Sequence, residues 1–258
     1  MFKLEIRKLI KIFEDLKRGN ISVLAGIDLA IKDKEFISIL GPSGCGKTTL
    51  LQIIAGLEQP TDGEILFQGK NNNSLDKKCG IVFQEYALFP WLTVSGNIEF
   101  GPKMRGISKK ERKQIAQYYI ELVGLQGFED HYPHEISGGM RQRVAIARAL
   151  ANDPDILLMD EPFAAVDAQL REILQQELLK IWQQMEKTIL FVTHNIDEAI
   201  FLGDRVAVMT ARPARIKEVV QVDLPRPRQK EIRVNPEFYK LEGYVRKLVW
   251  EEAESFRE

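Results

Sequence analysis

A nine-residue segment rich in glycine, residues 41–49, constrains this chain more than any other feature of its sequence. It follows a continuously apolar stretch, residues 36–40, and precedes Leu50, Leu51, Ile53, Ile54 and Leu57 at helical spacing, so we expect a turn between a buried parallel strand and a helix. Glycine lets backbone N–H groups turn inward around an anion, and the positive end of the following helix favours the same anion. The segment therefore predicts a phosphate-binding loop, made of Gly41, Pro42, Ser43, Gly44, Cys45, Gly46, Lys47, Thr48 and Thr49.

Three polar residues of this loop have separate predicted roles. Lys47 places a cation on the outer phosphates, the Thr48 hydroxyl is an oxygen ligand suited to Mg²⁺, and Thr49 adds a hydrogen bond to an inner phosphate. The alternative is a glycine turn that matches the pattern by chance. The strand before it and the helix after it favour phosphate binding, because the motif requires both.

Two acidic residues, Asp160 and Glu161, end the apolar stretch of residues 156–159. Acids at the carboxyl end of a strand face the crevice where ligands bind in parallel α/β sheets. We expect Asp160 to hold Mg²⁺ through a water molecule and Glu161 to polarise a water that attacks a γ-phosphate. The alternative is a helix-capping pair in a loop, since Pro162 follows immediately.

The composition is that of an ordinary globular protein. The 258 residues suffice for one large α/β domain or two small ones, and the net charge of -1 provides no basic field for nucleic acid. Three His and two Cys are too few for a structural zinc cluster, and we expect Cys45 and Cys79 to be reduced cytosolic thiols. The N-terminus lacks the apolar core of a signal peptide, and no apolar run approaches the length of a membrane span. If this protein works at a membrane, another chain must therefore cross it.

The other elements predict a parallel sheet interrupted by helices. Short N-terminal strands are expected at residues 4–9 and 27–31, and further strands at 81–83, 156–159, 189–192 and 205–209. A helical insertion is expected at about 88–152, with a capping box at Ser108, a helical period through Ile115, Tyr118, Tyr119 and Leu122, and a second helix over 138–150. A helix is expected over residues 169–185, and it implies a crossover between parallel strands. Residues 224–228 are expected to form a linker or turn, and residues 236–257 an amphipathic helical tail.

A second candidate anion site precedes the helix predicted at 138–150. Ser137, Gly138 and Gly139 stand at its start, where a Ser hydroxyl and free backbone N–H groups bind anions, or where a plain helix cap would lie. Together with the phosphate loop and the paired acids, this Ile-Ser-Gly-Gly-Met segment resembles the Leu-Ser-Gly-Gly-Gln signature of the ATP-binding subunits of ABC transporters. The resemblance implies a P-loop NTPase (RecA-like) α/β core with N-terminal antiparallel strands and an inserted helical subdomain, over residues 4–235, followed by an extension at 236–258.

The resemblance assigns roles to residues outside the phosphate loop. It implies that Gln84 senses Mg²⁺ and the attacking water, that His194 contacts the γ-phosphate, and that Asp167 lies in the family's D-loop, where Ala164 replaces a usual Ser. It also implies that Phe13 stacks on adenine, with Val23 beside it, although the inserted residues 16–20 loosen that alignment. The alternatives are a strand-end amide for Gln84, a structural histidine for His194, and a core aromatic for Phe13.

The resemblance also implies an assembly. Two subunits sandwich two ATP molecules head to tail, and Ser137, Gly138 and Gly139 of one subunit close on the nucleotide of the other, in a homodimer or with a paired subunit. The pair works at the cytoplasmic face of the inner membrane on transmembrane permease subunits, which receive solute from a periplasmic or extracellular solute-binding protein. The apolar residues 88–92 are a candidate groove for a permease helix, with packing under the insertion as the alternative.

Within the family, two pairs of segments resemble the nitrate, sulfonate and taurine importers. They are residues 90–94 with 97–101, and residues 210–214 with 223–227. A soluble ABC ATPase acting on DNA or ribosomes is the competing prediction, but this chain has one ATPase unit, no heptad run and no basic excess. A non-hydrolysing regulatory protein is disfavoured because Lys47, Asp160, Glu161 and His194 are all present.

Overall fold

The computed structural model describes residues 2–15, 19–71, 79–164 and 166–254, in which strands and helices alternate. Their bounds are β1 Phe2–Asp15, β2 Gly19–Lys32, β3 Phe36–Leu40, α1 Lys47–Ile54, β4 Asp62–Phe67, β5 Lys70–Asn71, β6 Cys79–Val82, α2 Val94–Met104, α3 Lys109–Leu122, α4 Gly138–Leu150, β7 Ile156–Asp160, α5 Ala168–Met185, β8 Thr188–Thr193, α6 Ile196–Leu202, β9 Arg205–Met209, β10 Ile216–Gln221 and α7 Pro236–Glu254. The chain divides into two units, residues 1–77 with 188–258, and residues 78–187. None of the helices among the described residues is long and apolar enough to cross a membrane.

The first unit begins with an antiparallel sheet of order β2-β1-β4-β5. The prediction of short strands here was wrong, because β1 and β2 each run for 14 residues. Their pairing register shifts between Ile6 and Leu9 and again at Ile10, and Lys8 has a φ of 46°. Such bulges interrupt the alternation of apolar and polar residues, so one long strand has the sequence pattern of a shorter one.

A second sheet of the first unit has the order β10-β9-β3-β8. The strands β8 and β9 pair with β3 in parallel, and β10 pairs with β9 in antiparallel. Every residue of β3 and β8 is buried, as expected of central strands covered on both faces. The helix α1 follows β3 and buries Leu50, Leu51, Ile53 and Ile54, but Leu57, predicted to continue its apolar face, lies beyond the helix and is 61% exposed.

The C-terminal part of the first unit is held to the rest of that unit by buried side chains. Residues 224–228, predicted as a linker or turn, form no regular element, but Arg228 is buried and donates to the carbonyls of Ile200, Phe201 and Gly203 at the end of α6. The last carbonyls of a helix need such donors, so this segment is fixed to the end of α6 and is not a free linker. The predicted tail is the helix α7, which buries Phe238, Val245 and Leu248, and the rest of the predicted span to 257 lies outside the described residues.

The second unit pairs β6 with β7 in parallel, and its described elements between these two strands are helical. The helix predicted over 138–150 is confirmed as α4, and the one predicted over 169–185 as α5. Ser108 caps α3 by accepting a bond from the backbone N–H of Glu111. Tyr118 was predicted on the apolar face of α3 but is 53% exposed, because Ala116, Tyr119 and Ile120 form the buried face.

Candidate functional site

The glycine-rich loop between β3 and α1 is a turn whose backbone angles favour glycine at two positions. Gly44 and Gly46 have φ values of 75° and 113°, in the left-handed region that favours glycine. A Cβ added to Gly46 would lie 2.7 Å from Val23 Cγ1, so β2 packs directly against the loop. Gly46 caps α1 without a side-chain hydrogen bond to the first turn, which leaves the helix N-terminus suited to an anion.

Lys47 and Cys45 are buried within this loop. The ammonium of Lys47 donates to the carbonyls of Gly41 and Pro42, at 2.9 and 3.0 Å, and its side chain is thereby folded along the loop. Cys45 is a free cysteine, and burial raises the pKa of its thiol. The thiol is therefore an inert part of the packing under the loop, whereas Thr48 is exposed on α1.

His194 emerges beside the phosphate loop because of the register of two parallel strands. Leu40 of β3 pairs with Thr193 of β8, so Gly41 and His194 leave the sheet side by side at its carboxyl edge. The Thr193 hydroxyl donates to Glu198 at 2.6 Å and accepts from the N–H of Asn195 at 3.0 Å. These bonds fix the backbone on both sides of the exposed His194.

Arg212 is a loop contact that sequence reasoning missed. Val208 of β9 also pairs with Leu40, so the turn after β9 reaches the same edge of the sheet. The Nε of Arg212 donates to the carbonyl of Gly44 at 2.8 Å, and Ala214 anchors the turn by backbone bonds to β2. The sequence signal for this contact is an arginine just after a strand of the sheet that carries the phosphate loop. In the sequence, residues 210–214 indicate only a resemblance to the nitrate, sulfonate and taurine importers.

Phe13, the predicted adenine contact, lies near the end of β1 and is 36% exposed. The ammonium of Lys11 stands 4.6 Å from the centroid of its ring and also binds Glu58 and the carbonyl of Gln59. The Lys11 ammonium holds the Phe13 ring in place without burying it, which suits the predicted stacking of adenine on this ring. Residues 16–18 of the segment that loosens this alignment lie outside the described residues.

Gln84 and the two acids come together in the second unit. Val82 of β6 pairs with Met159 of β7, so Gln84, Asp160 and Glu161 follow at one edge of this strand pair. Asp160 is buried as the last residue of β7, and Glu161 has a φ of 43°. A non-glycine residue held in this region costs on the order of 1–3 kcal/mol, a strain that often marks functional positions.

The donor set predicted for Mg²⁺ fits that ion chemically. Thr48 offers a hydroxyl, Gln84 an amide carbonyl and Asp160 a carboxylate, and hard oxygen donors of this kind are what Mg²⁺ prefers. The residues of this set therefore agree with the implied cation, while its coordination stays a prediction.

Ser137 caps α4, since its hydroxyl accepts a bond from the N–H of Met140 at 3.3 Å. The side chain is exposed, so capping and a contact with a second subunit are compatible. The two glycines differ: a Cβ on Gly139 would lie 3.1 Å from Leu170, whereas one on Gly138 would have no neighbour nearer than 3.8 Å. Gly139 thus has a packing role against α5, and Gly138 leaves open space for a ligand.

Asp167 caps α5, because its carboxylate accepts a bond from the N–H of Leu170 at 3.0 Å. The helix buries Leu174 and Leu178, and its first residue, Ala168, directly follows this cap. Asp167 therefore has a structural role in this chain, and its nucleotide contact stays a prediction. Ala165, in the same predicted loop, lies outside the described residues.

Comparison with known proteins gives one consistent result. A model of the ABC transporter family matches residues 24–164. An uncharacterised ABC transporter ATP-binding protein of Methanocaldococcus jannaschii is 58% identical, over 88% of this chain and 85% of its own length. A nitrate import ATP-binding protein of Synechocystis is 45% identical over 95% and 94%, and an aliphatic sulfonates import ATP-binding protein of Bacillus cereus is 50% identical over 82% and 83%. A dimeric ATP-binding cassette, solved in a post-hydrolysis state with ADP and Pi, is 35% identical over 86% of this chain and all of its own, with a TM-score of 0.74.

Proposed function

The chain belongs to the ABC transporter family as an ATP-binding, ATP-hydrolysing protein, and from that premise we propose that it energises import through separate membrane-spanning subunits. The observation that carries import is the similarity to a nitrate import ATP-binding protein along 95% of this chain. No observation on the described residues favours the soluble nucleic-acid or ribosome ATPase over this proposal.

The proposed reaction uses the residues of the phosphate loop for binding. The loop N–H groups and Lys47 bind the β- and γ-phosphates, and Phe13 stacks on adenine. Thr48, Asp160 and Gln84 would hold Mg²⁺, which when bound neutralises charge that develops on the phosphates.

Glu161 and His194 act on the γ-phosphate in this proposal. Glu161 polarises the attacking water and takes its proton, so that a new P–O bond forms as the bond between the γ-phosphorus and the β–γ bridging oxygen breaks. His194 contacts the γ-phosphate, and its position beside Gly41 at the edge of β3 and β8 supports that role. Gln84 follows β6 next to the acids and is positioned to sense the water.

We further propose that two chains form the working pair and that Ser137, Gly138 and Gly139 of one close on the ATP of the other. The exposed Ser137 and the open space at Gly138 support this, as does the dimeric state of the related cassette. ATP then favours the closed pair, and hydrolysis releases it. The pair works at the cytoplasmic face of the membrane.

Residues 88–92 are the proposed docking groove for a permease helix. Trp91 is 69% exposed, while Phe89 contacts its ring and that of Phe100 at centroid distances of 5.6 and 4.3 Å. The buried side chain of Asn97 bonds both the N–H and the carbonyl of Phe89. Phe89 is thus packed, in agreement with the alternative prediction of packing under the insertion, whereas Trp91 is exposed and available to a partner.

The docking proposal is tested by co-expressing the chain with candidate permease subunits. Trp91→Glu should abolish co-purification while ATP hydrolysis of the isolated subunit is retained. Trp250→Glu is the matched control, since Trp250 is 62% exposed on α7 and outside the groove, and it should co-purify normally. Normal assembly of the Trp91→Glu chain would contradict the groove.

For the solute we propose a small anion of the nitrate, sulfonate or taurine class, delivered by a solute-binding protein. The similarity to nitrate and aliphatic sulfonate import proteins supports the class and does not choose within it. Uptake by cells lacking this chain, measured in parallel with nitrate, an alkanesulfonate and taurine, should fall for one of the three. Unchanged uptake of all three would contradict the proposal.

A further inference from the structure

The backbone just after Gln84 is held in an unfavourable conformation. Tyr86 and Ala87 are consecutive non-glycine residues with φ values of 61° and 47°, in the left-handed region. Residues of this kind keep such angles only where neighbouring groups fix them. The groups that hold this pair belong to α4.

Arg148 of α4 supplies the fixing contacts. Its Nη1 donates to the carbonyl of Ala87 at 2.5 Å, and its Nη2 donates to the carbonyl of Tyr86 at 2.9 Å. The guanidinium carbon also lies 5.6 Å from the centroid of the Phe89 ring. The donors of a guanidinium are fixed in a planar fork, so arginine loses less side-chain freedom per hydrogen bond to the two carbonyls than the ammonium of a lysine would.

The same segment approaches the other end of α4. The Tyr86 hydroxyl lies 3.9 Å from the position that a Cβ of Gly138 would occupy. The Tyr86 hydroxyl therefore lies near the Ser137 end of α4, while the hydrogen bonds that join the segment to this helix are those of Arg148. Burial lowers the pKa of the Arg148 guanidinium, so this cation has given up part of its hydration to make these contacts.

We propose that Arg148 is a positioning residue for hydrolysis: it locks the Tyr86–Ala87 backbone to α4 and thereby holds Gln84 in a fixed relation to the Ser137 end of that helix. The inference rests on the proposed role of Gln84. Arg148 does not touch the nucleotide in this proposal, and its loss should leave the phosphate loop unchanged. The predicted signature is a lower kcat at an unchanged affinity for nucleotide.

Arg143 provides a matched control on the same helix. Its Nη1 also donates to two successive backbone carbonyls, those of Val123 and Gly124 at 3.0 and 3.2 Å, at the end of α3. Arg143→Met therefore removes two such carbonyl contacts, together with an ion pair to Glu177 at 3.8 Å, without affecting the segment that follows Gln84. Any loss of activity that merely reflects a loosened α4 would appear in both variants.

The experiment measures kcat, KM for MgATP, the Kd for nucleotide and Tm in the full chain for Arg148→Met, Arg148→Lys, Arg143→Met and Gln84→Ala. We expect Arg148→Met to lower kcat about tenfold or more while Kd changes less than about twofold. Arg148→Lys should recover part of kcat, and Arg143→Met should lower Tm comparably with kcat nearly unchanged. Amide exchange should rise over residues 84–89 in Arg148→Met and not in Arg143→Met.

Two outcomes would overturn the inference, and they differ from each other. If Gln84→Ala is slow but Arg148→Met matches Arg143→Met in kcat, then Arg148 has only a structural role and the role of Gln84 stands. If Gln84→Ala hydrolyses ATP at the normal rate, the proposed role of Gln84 fails and the inference fails with it. Should Arg148→Met fold poorly, the comparison of Arg148→Lys with Arg143→Met decides by the same criteria.

Discussion

Gly44 and Gly46 stand two residues apart in the phosphate loop, and both lie in the left-handed region, but their surroundings differ. A Cβ on Gly44 would meet nothing within 4 Å, whereas one on Gly46 would lie 2.7 Å from Val23 Cγ1. Both positions need glycine for conformation, and Gly46 also needs it for space. The requirement for glycine at Gly46 is thus set by β2 as well as by the ligand.

This difference predicts unequal costs for alanine. Gly44→Ala and Gly46→Ala both introduce strain at positive φ, and Gly46→Ala adds a clash, so we expect it to lower the free energy of unfolding by about 1–3 kcal/mol more. Urea denaturation of the two variants without nucleotide measures this difference. Equal midpoints and slopes would contradict the close contact between β2 and the loop.

Arg212 leads to a second prediction at this scale. Arg212 is exposed, so Arg212→Ala should leave Tm nearly unchanged. The variant loses the hydrogen bond to the Gly44 carbonyl, so nucleotide binding should weaken by about two- to tenfold, which corresponds to the free energy of one hydrogen bond. Arg215→Ala is the control, because Arg215 is an exposed arginine in the same turn. Calorimetric titration with ADP compares the two, and equal affinities would remove Arg212 from the loop's support.

At the scale of single residues, the sequence predicts those site residues whose roles depend on a fixed spacing along the chain. The loop, the acids and Ser137 follow from short patterns, because each pattern places specific atoms relative to one strand or helix end. Arg212 and Arg148 could not be found this way, since their partners are backbone carbonyls 168 and 61 residues away. Such contacts depend on the tertiary fold and leave no local pattern.

At the scale of helices and strands, a serine at a helix N-terminus can serve as a cap, as a contact for a nucleotide, or as both. Ser137 caps α4 and Ser108 caps α3 through the same bond, from the hydroxyl to an N–H three residues on. Alanine at either position should therefore cost about 1 kcal/mol of stability. Only Ser137 is proposed to reach a second nucleotide, so the stability and activity effects separate.

We accordingly expect Ser108→Ala and Ser137→Ala to have similar unfolding midpoints, while Ser137→Ala alone lowers kcat at saturating ATP. Thermal unfolding and steady-state hydrolysis measured on the same preparations provide the comparison. Parallel activity in the two variants would reduce Ser137 to a helix cap.

The elements that sequence patterns missed have physical reasons for being missed. The helix α2 contains Gly96, Gly101 and Pro102, which disfavour a helix in isolation, yet Thr93 caps it and Asn97 is buried within it. A Cβ on Gly101 would lie 2.0 Å from Asn152 Oδ1, so glycine is there for close packing. By contrast, β3, α4 and β9 follow their predicted bounds because continuous burial or a clear cap fixed them.

At the scale of the whole molecule, the candidate residues fall into two sets. The phosphate loop, His194 and Arg212 belong to the unit of residues 1–77 and 188–258, and Gln84, Asp160, Glu161 and Ser137 belong to residues 78–187. The sequence motifs and the resemblance they carry predicted an α/β ATPase, and the family comparison confirmed it. The predicted bounds of the helical insertion, 88–152, stay a prediction. Residues that are predicted to bind ATP do not identify the solute, because that role gives them no contact with it.

The central claim is that ATP joins two copies of this chain and that hydrolysis, which depends on Glu161, separates them. The most direct measurement is the light-scattering mass of Glu161→Gln with and without MgATP. We expect a mass near the 29.6 kDa of one chain without nucleotide and about twice that with it, accompanied by loss of hydrolysis. A mass that stays at one chain in saturating MgATP, or rapid ATP turnover by the variant, would contradict the claim.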